Sequence, residues 1–166
     1  MPFAKLSDRL SVSPQILAED LPAIVAAGFQ TVICNRPGGE GPDQPGFSEI
    51  ANAAREHGLE AHYLPVTAGM VGDDDVTAFT EALASFPGPI LAYCRSGTRS
   101  ATLWALSQSD KRPTEDILQR TQQAGHDLSG VARRIESGRE KLGEGDSVEY
   151  EVVIVGGGAA GIAVAA

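Results

Sequence analysis

Two cysteines, Cys34 and Cys94, are all that the 166 residues contain. They stand 60 positions apart. That is no disulfide framework, and it suits a compartment in which thiols stay reduced. Basic residues are scarce too: 13 Lys and Arg against 22 Asp and Glu give a net charge of −9, which argues against nucleic acid or an anionic membrane as partner. His57, His62 and His126 show no ligand spacing, so no metal site is expected. No stretch reaches the roughly 18–20 apolar residues of a membrane span. Met1 to Leu10 lacks an apolar h-region, so no secretory leader is expected. A cytoplasmic enzyme fits these absences best.

What is present can fold. At 42% hydrophobic and 21% charged, the chain can bury a core and lacks the composition of a disordered segment. Strand-like runs alternate with helical patterns. Leu10–Ser13 reads as a strand. Pro14 opens a helix with Ile16, Leu17, Leu21, Ile24 and Val25 on its apolar stripe, ended by Gly28. Strands follow at 29–34, 59–66 and 89–93, with helices at 47–57, 73–86, 101–109 and 113–124, and a last helix capped by Asp127 or Ser129. Such alternation predicts an α/β fold, with a mostly parallel central sheet flanked by helices and its site at the carboxyl ends of the strands.

One such end carries Cys94-Arg95-Ser96-Gly97-Thr98-Arg99-Ser100, between the apolar run 89–93 and a helix-prone segment. Backbone N–H groups of a small-residue loop and the positive end of a helix converge there, favouring a thiolate and a bound anion. Arg95 and Arg99 add fixed positive charge. Cys94 is the expected nucleophile and Arg99 the anion clamp, with Arg95, Ser96, Gly97, Thr98, Ser100 and Arg36 around the anion. The bland alternatives are a buried structural cysteine and an Arg99 surface ion pair. Ser100 either caps the helix or hydrogen-bonds Cys94. Asn35-Arg36-Pro37 and Glu40 either line the mouth or brace their own loop. Cys34 either pairs reversibly with Cys94 or fills the core. Lys111-Arg112 and Arg133-Arg134 read as solvated helix surface.

After Gly143 the character changes. A linker over 143–147 leads to a strand-like run and to Gly156-Gly157-Gly158-Ala159-Ala160-Gly161. This G-x-G-x-x-G pattern predicts the truncated first βα turn of a dinucleotide-binding domain over 148–166, with Gly156, Gly158 and Gly161 as cofactor-binding positions in an intact fusion. The expected domains are therefore 1–142, the linker 143–147, and the turn at 148–166. No dinucleotide binding is expected from half a unit.

Thr31-Val32-Ile33-Cys34-Asn35-Arg36-Pro37 with Glu40, and Ala92 through Trp104, resemble the beta-lactamase-hydrolase-like phosphatase-like domain family, also labelled a sulfur transferase. The resemblance covers about residues 1–110 and implies the fold of tyrosine and dual-specificity phosphatases. The tail resembles the start of a pyridine-nucleotide–disulfide oxidoreductase of the sulfide:quinone type, which implies FAD for that missing part and no cofactor for residues 1–142. A fused or associated oxidoreductase would then be the partner.

The sequence departs from the phosphatase pattern of His-Cys-x5-Arg. Tyr93 stands in place of the His, and Arg99 follows Cys94 after four residues, with Ser100 where the arginine would be. This Cys-x4-Arg loop resembles that of single-domain rhodaneses, and a shorter loop has a smaller mouth. The leading expectation is therefore a sulfurtransferase that moves sulfane sulfur from thiosulfate or a persulfide to a thiol-type acceptor through a Cys94 persulfide. The alternative is a cysteine-dependent phosphatase of the dual-specificity-like class. Its acid would come from Asp73, Asp74 or Asp75, with Asp74 named as catalytic, unless that run is only a solvated helix start. A second alternative is a non-catalytic regulatory module of a fused flavin oxidoreductase. The ligand is then a small sulfur-containing or phosphorylated anion.

Overall fold

Short apolar and β-branched runs become the strands of one sheet. The computed structural model describes residues 3–138. The linker 143–147 and the glycine turn expected over 148–166, with Gly156, Gly158 and Gly161, lie outside the described residues.

The strands are β1 (Ala4–Lys5), β2 (Leu10–Ser13), β3 (Thr31–Cys34), β4 (Glu60–Tyr63) and β5 (Ile90–Tyr93). They lie in the order β1-β2-β5-β3-β4, with β1 antiparallel to β2 and every other pair parallel. The central strand, β5, is buried along its whole length, as its unbroken apolar run requires. Its register aligns Ser13, Cys34 and Tyr93 in one row, so the segments that follow three adjacent strands start together at the carboxyl edge.

The helices are α1 (Leu21–Ala26), α2 (Phe47–Glu56), α3 (Asp73–Ser85), α4 (Thr98–Ser107) and α5 (Thr114–Gln123), followed by a helical segment over 132–138. Alternation along β5 sorts the core. Ile90 and Ala92 face Phe79, Leu103, Trp104 and Ile117, on the side of α3, α4 and α5. Leu91 and Tyr93 face Ile24, Val32, Cys34 and Ile50, on the side of α1 and α2. Among the described residues no helix is long and apolar enough to cross a membrane.

Besides β1, a strand absent from the sequence reading, three elements differ from it, and two of these differences shape the site. The helix expected from Pro14 starts only with a 3-10 turn at Ala18–Asp20. Residues 14–17 instead lie beside the cysteine loop, where the Gln15 N–H donates to the Arg95 carbonyl at 3.2 Å. Leu17 and Val25, expected on the apolar stripe, are exposed. The helix after Cys94 begins at Thr98, not Ala101. Gly97 takes φ +95, and its carbonyl accepts the Ala101 N–H at 2.9 Å, so the first turn closes three residues early. The third is β4, which ends at Tyr63 ahead of Pro65.

Tyr93 contains a local conflict. Its hydroxyl is buried without a well-formed hydrogen bond, and the polar group beside it is the Cys34 sulfur. Burial pushes the ionisation of this hydroxyl far up. Removing an unsatisfied buried hydroxyl relieves its desolvation cost. Tyr93→Phe is therefore expected to stabilise the fold by about 1 kcal/mol, raising Tm by about 2–4 °C in thermal unfolding. A fall in Tm would mean that the Cys34 contact outweighs the burial cost.

Candidate active site

Cys94 follows β5 directly and is almost fully buried. Its Sγ accepts the Gly97 N–H at 3.1 Å, which turns the loop around the sulfur. Gly97 has no alternative at its position. Its φ of +95 disfavours any Cβ, and a Cβ there would lie 3.2 Å from the His126 ring and 3.3 Å from the Ser13 carbonyl oxygen. The N–H groups of Arg99 and Ser100 belong to the first turn of α4, where helix geometry leaves them without an intrahelical acceptor. The positive end of a ten-residue helix therefore abuts the sulfur.

Arg99 lies on that first turn, not in the loop. Its guanidinium is held on two sides. Nη1 donates to Glu40 Oε2 at 2.7 Å and to the Val66 carbonyl at 3.0 Å, and Nη2 donates to Glu40 Oε1 at 2.9 Å. This fork-to-fork pair fixes the plane of the guanidinium. Arg36, buried beneath, donates from Nε to Glu40 Oε1 at 3.1 Å and from Nη1 to Gln15 Oε1 at 3.0 Å. Hydrogen bonds from Arg99 first and Arg36 next hold the Glu40 carboxyl below the ordinary carboxylate range, against the desolvation that raises it. Glu40 in turn raises the Arg99 pKa further, and Cys94 also faces this guanidinium. Of the 35–40 loop only Glu40 lines the cavity; Arg36, expected around the anion, is buried outside the lining and braces the loop, and Asn35 and Pro37 also lie outside the lining.

A cavity of about 670 Å³ opens over the loop, with Arg95, Ser96, Thr98 and Arg99 on its floor and Glu40 at its side. Arg95, Ser96 and Thr98 are exposed there. Its far walls come from Ala68, Val71, Leu128 and Val131, together with Asp127 and Arg134. Sequence reasoning missed these walls because nothing local marks them. Arg134, expected on solvated surface, instead lines the cavity.

Other expectations change. Ser100 neither caps α4 nor reaches Cys94. The helix starts at Thr98, and the Ser100 hydroxyl donates to Asn35 Oδ1 at 2.8 Å. The Asn35 side chain in turn donates to the Leu64 carbonyl at 2.9 Å, which ties α4 to the segments after β3 and β4. Asp74 is exposed on α3 and does not line this cavity. Of its neighbours, Asp73 pairs with Arg134 at 3.2 Å and Asp75 Oδ2 accepts the Gly72 N–H at 2.9 Å. Both cysteines are free thiols. Cys34 packs on the α1 and α2 side and donates to the Arg36 carbonyl at 3.3 Å, and burial pushes its pKa up. His126 supports the loop from behind, with Nδ1 3.2 Å from Thr98 Oγ1, and burial holds its pKa below the usual value. Among the described residues no group of three or more His, Cys, Asp or Glu could hold a metal ion.

Comparison with known proteins bears on this arrangement. The Beta-lactamase hydrolase-like protein of Agrobacterium fabrum is 33% identical over 138 residues, 82% of this chain and 32% of its own length. The chain thus spans about a third of that curated relative. A candidate phosphatase of Neisseria meningitidis Z2491, solved as a crystal structure, is 35% identical with a TM-score of 0.77, covering 84% of this chain and 99% of that one. Pseudomonas aeruginosa TpbA, solved in complex with pTyr, shares the fold: 17% identity and a TM-score of 0.63 over 86% of this chain and 90% of that one.

These findings back the phosphatase alternative and give the sulfur-transfer expectation no support. The physical argument for sulfur transfer also weakens. It rested on a narrow mouth, whereas the loop opens onto a roomy cavity. A fused oxidoreductase is not shown. The model for "Beta-lactamase hydrolase-like protein, phosphatase-like domain" matches residues 2–111, and the chain belongs to that family.

Proposed function

We propose that this domain is a cysteine-dependent phosphatase in which Cys94 attacks phosphorus and carries the phosphoryl group. The observation that carries the reading is the Cys94 sulfur held by the Gly97 N–H, at the positive end of α4 and beside an Arg99 guanidinium locked in place by Glu40. In the first step an S–P bond forms, the P–O bond to the leaving group breaks, and the electron pair leaves on that oxygen. Loop N–H groups and Arg99 hold the equatorial oxygens as charge develops on them. In the second step water attacks phosphorus, the S–P bond breaks, the thiolate returns, and the water proton leaves with phosphate or solvent. Residues 3–138 need no cofactor for this sequence.

The 670 Å³ cavity supports a substrate larger than inorganic thiosulfate. TpbA with pTyr makes an aryl phosphate the first substrate to try. The test incubates the protein separately with p-nitrophenyl phosphate and with thiosulfate, and reads nitrophenol release and intact mass. The expected result is nitrophenol release, with a phosphoryl adduct on Cys94 after acid quench. A dithiothreitol-labile sulfur adduct without phosphate hydrolysis would restore sulfur transfer. Neither signal would favour a regulatory module.

A further inference from the structure

A thiolate that displaces an alcohol from phosphorus needs a proton donor, because an alkoxide is a poor leaving group. The cavity supplies none among the described residues. Residues 64–72, which contribute Ala68, Gly69 and Val71 to the wall, read Leu-Pro-Val-Thr-Ala-Gly-Met-Val-Gly and hold no ionisable side chain. Two carboxyl groups line the cavity, Glu40 and Asp127. Both Glu40 oxygens are occupied by Arg99, and one of them also by Arg36. Asp127 Oδ1 accepts the Ser129 N–H at 3.0 Å. Each carboxyl is held below the ordinary carboxylate range, Glu40 first by Arg99 and Asp127 first by the Ser129 N–H, so neither carries a proton near neutrality. Asp73, Asp74 and Asp75 lie outside the lining, as does His126.

Positive charge takes the place of the acid. Arg95, Arg99 and Arg134 share the cavity. Among the described residues Arg134 pairs at the surface with Asp73, whose side chain is 78% exposed. Water screens such a pair, and a dianion in the cavity competes for the guanidinium. A leaving group that departs as an anion suits arginines. One that needs protonation does not.

We infer that the site, if it is the phosphatase proposed above, acts on phosphoanhydrides, with Arg134 holding the second, departing phosphate. The S–P bond forms at Cys94 as the anhydride P–O bond breaks, and the electron pair leaves on a phosphate oxygen that needs no proton. Alkyl monoesters such as phosphoserine are poor substrates for the same reason.

The test measures kcat/KM on aryl phosphates of graded phenol pKa, on phosphoserine, and on inorganic pyrophosphate, with wild type, Arg134→Ala and Cys94→Ser. The expected result is a fall of about tenfold per unit rise in phenol pKa, with phosphoserine near background and pyrophosphate turned over. In Arg134→Ala the ratio of pyrophosphate to p-nitrophenyl phosphate activity falls about ten- to a hundredfold. A flat dependence on leaving group, turnover of phosphoserine at the aryl rate, or an unchanged ratio in Arg134→Ala overturns the inference and leaves the phosphatase standing. Absence of any Cys94-dependent hydrolysis overturns both.

Discussion

Cys94→Ser is expected to abolish the proposed turnover of an aryl phosphate, by at least about 10³-fold, without unfolding the protein. The substitution removes the sulfur nucleophile, which lies beneath the loop that floors the cavity. Among the described residues no base is placed to activate a serine hydroxyl at this position. Glu40 is committed to two arginines, and His126 contacts Thr98, not position 94. The fold has little reason to change. Serine is smaller than cysteine, and its oxygen can accept the Gly97 N–H that now bonds to the sulfur. Anion binding should survive, since the α4 terminus and Arg99 remain. Calorimetry with phosphate on Cys94→Ser is expected to give a Kd within a few-fold of wild type, while p-nitrophenol release disappears. Retained turnover would remove Cys94 from the chemistry. Lost turnover with lost binding would mean that the sulfur holds the loop together.

Much of this site was legible in the sequence, and the part that was not has identifiable causes. An apolar run that ends in a cysteine and a glycine-containing loop places Cys94 at the end of a buried strand, where it lies in the structure. The start of α4 lies ahead of the expected Ala101 because its N-cap is Gly97 in a left-handed conformation, not a serine or aspartate. Thr98, Arg99 and Ser100 then look like loop residues while serving as the first helical turn. That shift of one turn puts Ser100 inside the helix, where it cannot be the N-cap, and puts Arg99 on the first helical turn.

The contacts that matter most are long-range. Glu40 and Arg99 are 59 positions apart, and Ser100 and Asn35 are 65 apart. No periodicity encodes such pairs. The register of β3 against β5 does, and it exists only once the sheet has formed. Loop length alone implies a narrow mouth. The mouth is set instead by residues 68–71 and 127–134, which enclose a volume that the count between Cys94 and Arg99 does not determine.

The Glu40–Arg99 pair gives the second large effect. Arg99→Lys is expected to lower kcat/KM by about 10²–10³-fold, with most of the loss in kcat. An ammonium is a single point of charge. It cannot hold both Glu40 oxygens, reach the Val66 carbonyl and still present a donor to an oxyanion, all of which the guanidinium geometry allows. Glu40→Gln separates charge from placement. The amide keeps one acceptor for Arg99 and loses the fork, so a smaller loss of about tenfold is expected, again in kcat, with wild-type behaviour approached by Glu40→Asp only if the shorter arm still reaches.

The same pair sets an acid limit. Because the Glu40 carboxyl is held below its ordinary range, its stabilisation is complete above the unfolded carboxylate value, about 4.3. It is lost as pH falls through the lower folded value. Wild type should therefore lose Tm on acidification below about pH 4 more steeply than Glu40→Gln, which has no proton to take up. Parallel pH–Tm curves for the two proteins would show that the ion pair orients Arg99 without stabilising the fold. Equal kcat in wild type and Glu40→Gln would show that Arg99 needs no such orientation.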